Sequence, residues 1–154
     1  MSAIYELARN IHRDEFDGDD TIVSYRVVSG WLANNLGDLN TLLNTSFSGD
    51  DAELDLEAQA IYADLYMAHY YHKQARNALR GVLNSTSSGS NILSIRDGES
   101  AVSFVNSKEV GKEFRSLATS YKERALRLSH QYNMHQSVPR QVAGTDGDWL
   151  SGTY

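Results

Sequence analysis

The chain has 154 residues, 22% of them charged and 41% apolar, which suits one soluble globular domain with a modest core. The absence of cysteine excludes disulfides, thiol nucleophiles and thiolate metal sites, and fits a reducing compartment. No apolar run approaches the roughly 18 residues of a membrane span, and "MSAIYELARNIHRDEF" lacks the basic start and apolar block of a secretory signal.

The formal charge of −6 hides an asymmetry. Residues 1–66 hold 13 Asp/Glu against 3 Lys/Arg, whereas residues 67–132 hold 10 Lys/Arg against 5 Asp/Glu. Such a chain either folds its opposite charges together or presents them on separate surfaces to neighbouring copies. The sequence leaves both open.

In chain order, residues 3–12 read as a helix with Ile4, Leu7, Ala8 and Ile11 on one stripe. "DEFDGDD" breaks it, and Asp19 or Asp20 is expected to cap a second helix running to about Leu36. That helix places Ile22, Tyr25, Val28/Ser29, Leu32 and Leu36 on one side. Gly37 is the expected stop, and Asp38 the cap of a short continuation, "LNTLLNTSF".

The strongest periodicity runs from about Ala52 to Val82. Leu54, Ala58, Ile61, Leu65, Ala68, His72, Ala75, Leu79 and Val82 step by four and three, with Tyr62, Tyr66 and Tyr70 beside them. A helix of this length spans roughly 45 Å. That is long for so small a domain, and implies an elongated bundle or a helix that also meets other subunits.

After a polar linker at 84–91, Asp-Gly between two β-prone runs predicts a hairpin at about 91–105 with Asp97–Gly98 in the turn. Arg96 then faces Glu99, Ile95 faces Ser100, Leu93 faces Val102, and Asn91 faces Phe104. Leu93, Ile95, Val102 and Phe104 share the apolar face; Ser94, Arg96, Glu99 and Ser103 share the other. A lone hairpin is marginal in water, so this apolar face is expected to be covered by the chain's own helices or by a neighbouring copy.

Asn106 and Glu109 resemble a capping box that opens a last long helix, with Val110, Phe114, Leu117, Tyr121, Ala125, Leu128 and Tyr132 as its apolar face. Beyond Asn133 periodicity stops. The expected fold is therefore mainly α: a helical bundle over residues 1–132 with one inserted β-hairpin, and an extended C-terminal arm over 133–154.

Chemistry is hard to find. His69 and His72 have a spacing that can share a metal, but no adjacent carboxylate supplies a third ligand, and packing is the simpler role. Neither a nucleophile elbow nor a phosphate-binding glycine pattern occurs. Lys108, Lys112, Arg115, Lys122, Arg124 and Arg127 raise nucleic-acid binding as an alternative, against which stands the pI of about 5.3.

The order of parts carries a resemblance. A capped helix and a long tyrosine-rich helix lead to "SIRDGESAVSFVNSKEVGKEFRSLA", and the next helix ends near "LSHQYN". Over roughly residues 20–132 this resembles the head–tail adaptor (connector) proteins of tailed bacteriophages. "IRDGESAVSF" carries most of the likeness and "WLANNLGDLNTLLN" supports it; the length of the tyrosine-rich helix and the arm are departures.

The resemblance implies a non-enzymatic structural protein of the virion neck, made in the host cytoplasm, without cofactor, metal or membrane. It implies a ring of copies, usually a dodecamer, between the portal protein and the next neck or tail component. DNA would pass through the lumen without specific binding. Leu93, Ile95, Arg96, Glu99, Val102 and Phe104 would form the hairpin interface, and Trp149, Leu150, Tyr154 and Pro139 would dock the arm on the portal.

Overall fold

The computed structural model describes residues 3–48, 54–86, 94–97, 100–103 and 107–137. Five helices dominate: α1 (Ala3–Phe16), α2 (Tyr25–Asn34), α3 (Leu36–Leu43), α4 (Leu56–Thr86) and α5 (Ser107–Ser137). Two four-residue strands, β1 (Ser94–Asp97) and β2 (Ser100–Ser103), lie between the last two helices.

α1 buries the expected stripe, Ile4, Leu7, Ala8 and Ile11, and continues to a buried Phe16. It ends where Asp17 and Gly18 both take positive φ, the left-handed conformation that glycine and, less readily, aspartate accept. Asp19 does not cap α2. Its carboxylate accepts from the Thr21 N–H at 2.8 Å, while Asp20 accepts from Tyr25 N–H, and the N-cap is Ser24, whose hydroxyl accepts from Arg26 N–H. Nor does Gly37 stop the helix: α2 closes at Asn35, and Gly37 and Asp38 sit in the first turn of α3. α3 ends on left-handed Asn44, and the Asn40 amide then holds Phe47 by both its N–H and its carbonyl.

α4 is capped by Asp55, whose Oδ1 accepts from Ala58 N–H at 2.7 Å. α4 and α5 have 31 residues each and run antiparallel: Tyr132, late in α5, donates to Asp55 at 2.9 Å, while Gly111, early in α5, lies against Ala78, late in α4. At 1.5 Å per residue each spans about 46 Å. The short helices pack over the half that contains Asp55. There Val28, Leu32, Leu39, Leu43, Ala58, Ile61, Tyr62 and Met67 are buried, the Tyr62 hydroxyl donates to the Leu32 carbonyl, and Asn133 donates to the Leu42 carbonyl at 3.0 Å.

In the other half, among the described residues, the two long helices pack mainly on each other. Among the described side chains from Tyr71 to Arg80 and Glu109 to Ser120, the buried positions are Ala75, Gly111 and Ala118. Tyr71 stacks on Phe114 and Tyr121 at 6.1 and 5.7 Å between ring centres. His72, Leu79 and Leu117, expected inside, are exposed. The helices approach along small residues, and a reading weighted towards large apolar side chains passes over them.

The expected architecture needs correction. The described bundle is built from helices, and no sheet is inserted into it; among the described residues, strand is found in β1 and β2, which pair with each other. Their register also differs from expectation. Ile95 pairs with Val102, Arg96 with Ala101 and Asp97 with Ser100, so Arg96 does not face Glu99, nor Ile95 Ser100, nor Leu93 Val102. Shifting the pairing by two puts two β-branched residues directly opposite each other, a favourable cross-strand pair, and keeps Ile95 and Val102 on one face. The expected arm boundary moves too, because α5 continues through Asn133 to Ser137.

A Cβ on Gly111 would meet the Ala78 Cβ at 3.7 Å, an ordinary contact. Gly111→Ala should therefore raise stability by up to about 1 kcal/mol through helix propensity. Gly111→Leu should lower it by roughly 1–3 kcal/mol by wedging the long helices apart. Urea midpoints of the three chains check both signs.

Candidate functional site

Three features could serve a function. The first is the half of α4–α5 that the short helices leave open. Lys73, Arg76 and Arg80 on α4, and Lys112, Arg115 and Lys122 on α5, are all exposed. Lys112, Arg115, Ser116, Thr119, Ser120 and Glu123 line a shallow hollow of about 450 Å³ on α5. The acidic counterpart, Asp14, Glu15, Asp17, Asp19 and Asp20 around the α1–α2 turn, is also exposed. Among the described residues, one ion pair joins the acidic and basic halves of the sequence, Arg124 Nε to Asp64 Oδ2 at 3.2 Å. The segregation is partial, since Glu109, Glu113 and Glu123 stand exposed among the cations of α5.

That pair is the second feature. The Asp64 side chain is only 9% exposed whereas Arg124 is 56% exposed, and Asp64 Oδ2 has no hydrogen bond despite the ion-pair distance. Burial pushes the Asp64 carboxyl above its ordinary value; Arg124 pulls it back, and Glu15 adds to the rise. The folded chain thus holds this proton more tightly than the unfolded chain. The stability it contributes is lost as pH rises from the ordinary carboxylate value.

The third feature is a groove of about 170 Å³ between the start of α2 and the middle of α4. Its lining includes Ile22, Val27, Trp31, Tyr66, His69 and Lys73. Trp31 is held by Tyr62, Tyr66 and His69, with ring centres 5.8, 5.5 and 5.2 Å away. Ile22 and Val27 stand at its edge 54% and 52% exposed, although the sequence placed Ile22 on the buried face. Burial pushes Tyr66 up to about 12 and lowers His69, which the nearby Lys73 and Arg76 depress further.

Of the residues expected to function, Trp149, Leu150, Tyr154 and Pro139 lie outside the described residues, as do Leu93, Glu99, Phe104 and the Asn106 cap. Ile95, Arg96 and Val102 lie in β1 and β2. Lys112, Arg115, Lys122, Arg124 and Arg127 are exposed on α5 as read. His69 lies against Trp31 and His72 is exposed; among the described residues no group of three His, Asp or Glu could hold a metal. Nor is any described helix long and apolar enough to cross a membrane. Sequence reasoning missed the groove. The available signal was Val27, an apolar residue off the helical stripe one turn before a tryptophan.

Comparisons with protein-family models, curated proteins and solved structures find no match for this chain.

Asp64→Asn keeps the shape and removes the buried charge. It should match the parent in stability below the ordinary carboxylate range and exceed it at pH 7. Thermal unfolding of both chains from pH 3 to 7 reads the difference.

Proposed function

We propose that the chain is a non-enzymatic assembly protein, and specifically a head–tail adaptor of a tailed phage that sits with copies of itself between portal and tail. The observation that carries this reading is the charge segregation: an acidic turn at Asp14–Asp20 and an open basic surface at Lys73–Arg80 and Lys112–Lys122 belong to one chain. A heterologous contact between two unlike faces closes into a ring when the rotation per subunit allows it. Opposite potentials bring such faces together and fix their register. The long α4–α5 pair supports the same reading, because helices extending past their own core offer area to a neighbour. In this reading the ring extends the DNA channel and presents a platform to the next neck or tail component.

Nucleic-acid binding is a second reading, favoured by the six exposed cations of the open half. It requires retention on duplex DNA that falls steeply with salt.

Native mass spectrometry of the chain mixed with the portal assembly of the same phage separates the two. The adaptor reading expects a portal carrying a full ring of this chain, with no retention of the free chain on DNA at low salt. A portal that stays bare, or a chain held on DNA in a salt-dependent way, contradicts it.

A further inference from the structure

The groove between α2 and α4 has a shape and a charge that select an occupant. Its volume, about 170 Å³, is close to that of a single large side chain; a cavity of roughly 150 Å³ takes up benzene. Its walls are apolar and aromatic, with Ile22, Val27, Trp31 and Tyr66 around the space. Its edge on α4 is basic: Lys73 lines it, and the charges acting on His69 there come from Lys73, Arg76 and His72. A pocket of this kind suits one aromatic anchor with a carboxylate beside it.

The chain carries such a segment. In "TDGDWLSGTY" the apolar pair Trp149–Leu150 follows Asp146 and Asp148 directly. The length of chain is also sufficient. α5 ends at Ser137, five residues past the Tyr132 that bonds to Asp55, and the groove lies near Tyr70 on α4. The axial distance is about 30 Å at 1.5 Å per residue. The eleven residues from Ser137 to Asp148 reach about 36–40 Å when extended.

We infer that the groove is a receptor for the chain's own Asp148–Trp149–Leu150 segment, docked in cis, with the Trp149 ring between Ile22, Val27 and Trp31 and the Asp148 carboxylate towards Lys73. The inference concerns the free chain and does not depend on the adaptor reading; partners that take up the segment during assembly would compete with the groove.

The chain has two tryptophans, which makes the test direct. Trp149→Phe keeps an aromatic anchor and leaves Trp31 as the sole tryptophan; Trp149→Ala/Leu150→Ala removes the anchor and leaves the same reporter. Acrylamide quenching of Trp31 in full-length chains should give a lower slope for Trp149→Phe than for the double alanine chain, unchanged by dilution. Adding Lys73→Glu to Trp149→Phe should weaken docking about tenfold and raise the slope towards that of the double alanine chain. Circular dichroism confirms that each variant retains the helical fold. Equal slopes for the two tryptophan variants would overturn the inference, as would insensitivity to Lys73→Glu. Shielding that appears only as concentration rises would also overturn it, by assigning the groove to a second copy.

Discussion

Close approach of α4 to α5 along small residues is the constraint from which the rest of the structure follows. Ala75, Ala78, Gly111 and Ala118 let two 31-residue helices lie together over a length that the described short helices do not cover. Helices that meet through small side chains gain dispersion contacts from backbone proximity and need little large apolar area. That explains how the open half persists with Tyr71, Phe114 and Tyr121 as its main aromatic contacts. Two polar ties set the register at the closed end. Tyr132 reaches the Asp55 carboxylate that caps α4, and Asn133 reaches the α3 carbonyl of Leu42.

This division into halves gives the charge its meaning. Carboxylates crowd the α1–α2 turn, while lysines and arginines stand exposed along the open half of α4 and α5. Glu109, Glu113 and Glu123 also stand exposed on α5, and among the described carboxylates of the long helices Asp64 is the buried one. It is buried where the layers meet, beside an exposed Arg124, and its elevated proton affinity shows that desolvation outweighs the single ion pair.

Much of the closed half was legible in the sequence. The stripe Ile4, Leu7, Ala8, Ile11 and the first turns of α4 bury as their spacing requires, because large apolar residues at helical intervals have one way to leave water. The open half was not legible in the same way. Its seam is made of alanine and glycine, which carry little hydrophobic signal, so Leu79 and Leu117 attracted the assignment that belongs to Ala78 and Ala118. Asp19 and Gly37 misled for a different reason. Both are common punctuation, but Ser24 and Asn35 stand nearer the true ends and satisfy the terminal backbone groups there. Asp97–Gly98 reads as the turn of a hairpin inserted in the bundle, but no sheet is inserted into the described bundle and Asp97 lies in β1 opposite Ser100; a turn signal alone does not fix which residues lie opposite one another. The groove was invisible in sequence because residues 22–27 and 66–74 meet only after α2 has been laid across α4.

The claim central to the proposed adaptor role is that the basic half of α4–α5, exposed among the described residues, is covered when copies assemble. Amide hydrogen exchange, followed by mass spectrometry on the free chain and on the assembled particle, tests it most directly. The account expects residues 72–80 and 109–120 to exchange faster than residues 58–67 and 125–132 in the free chain, and to gain protection in the particle. Fast and slow segments distributed without regard to that division, or an open half whose exchange is the same in both states, would contradict it.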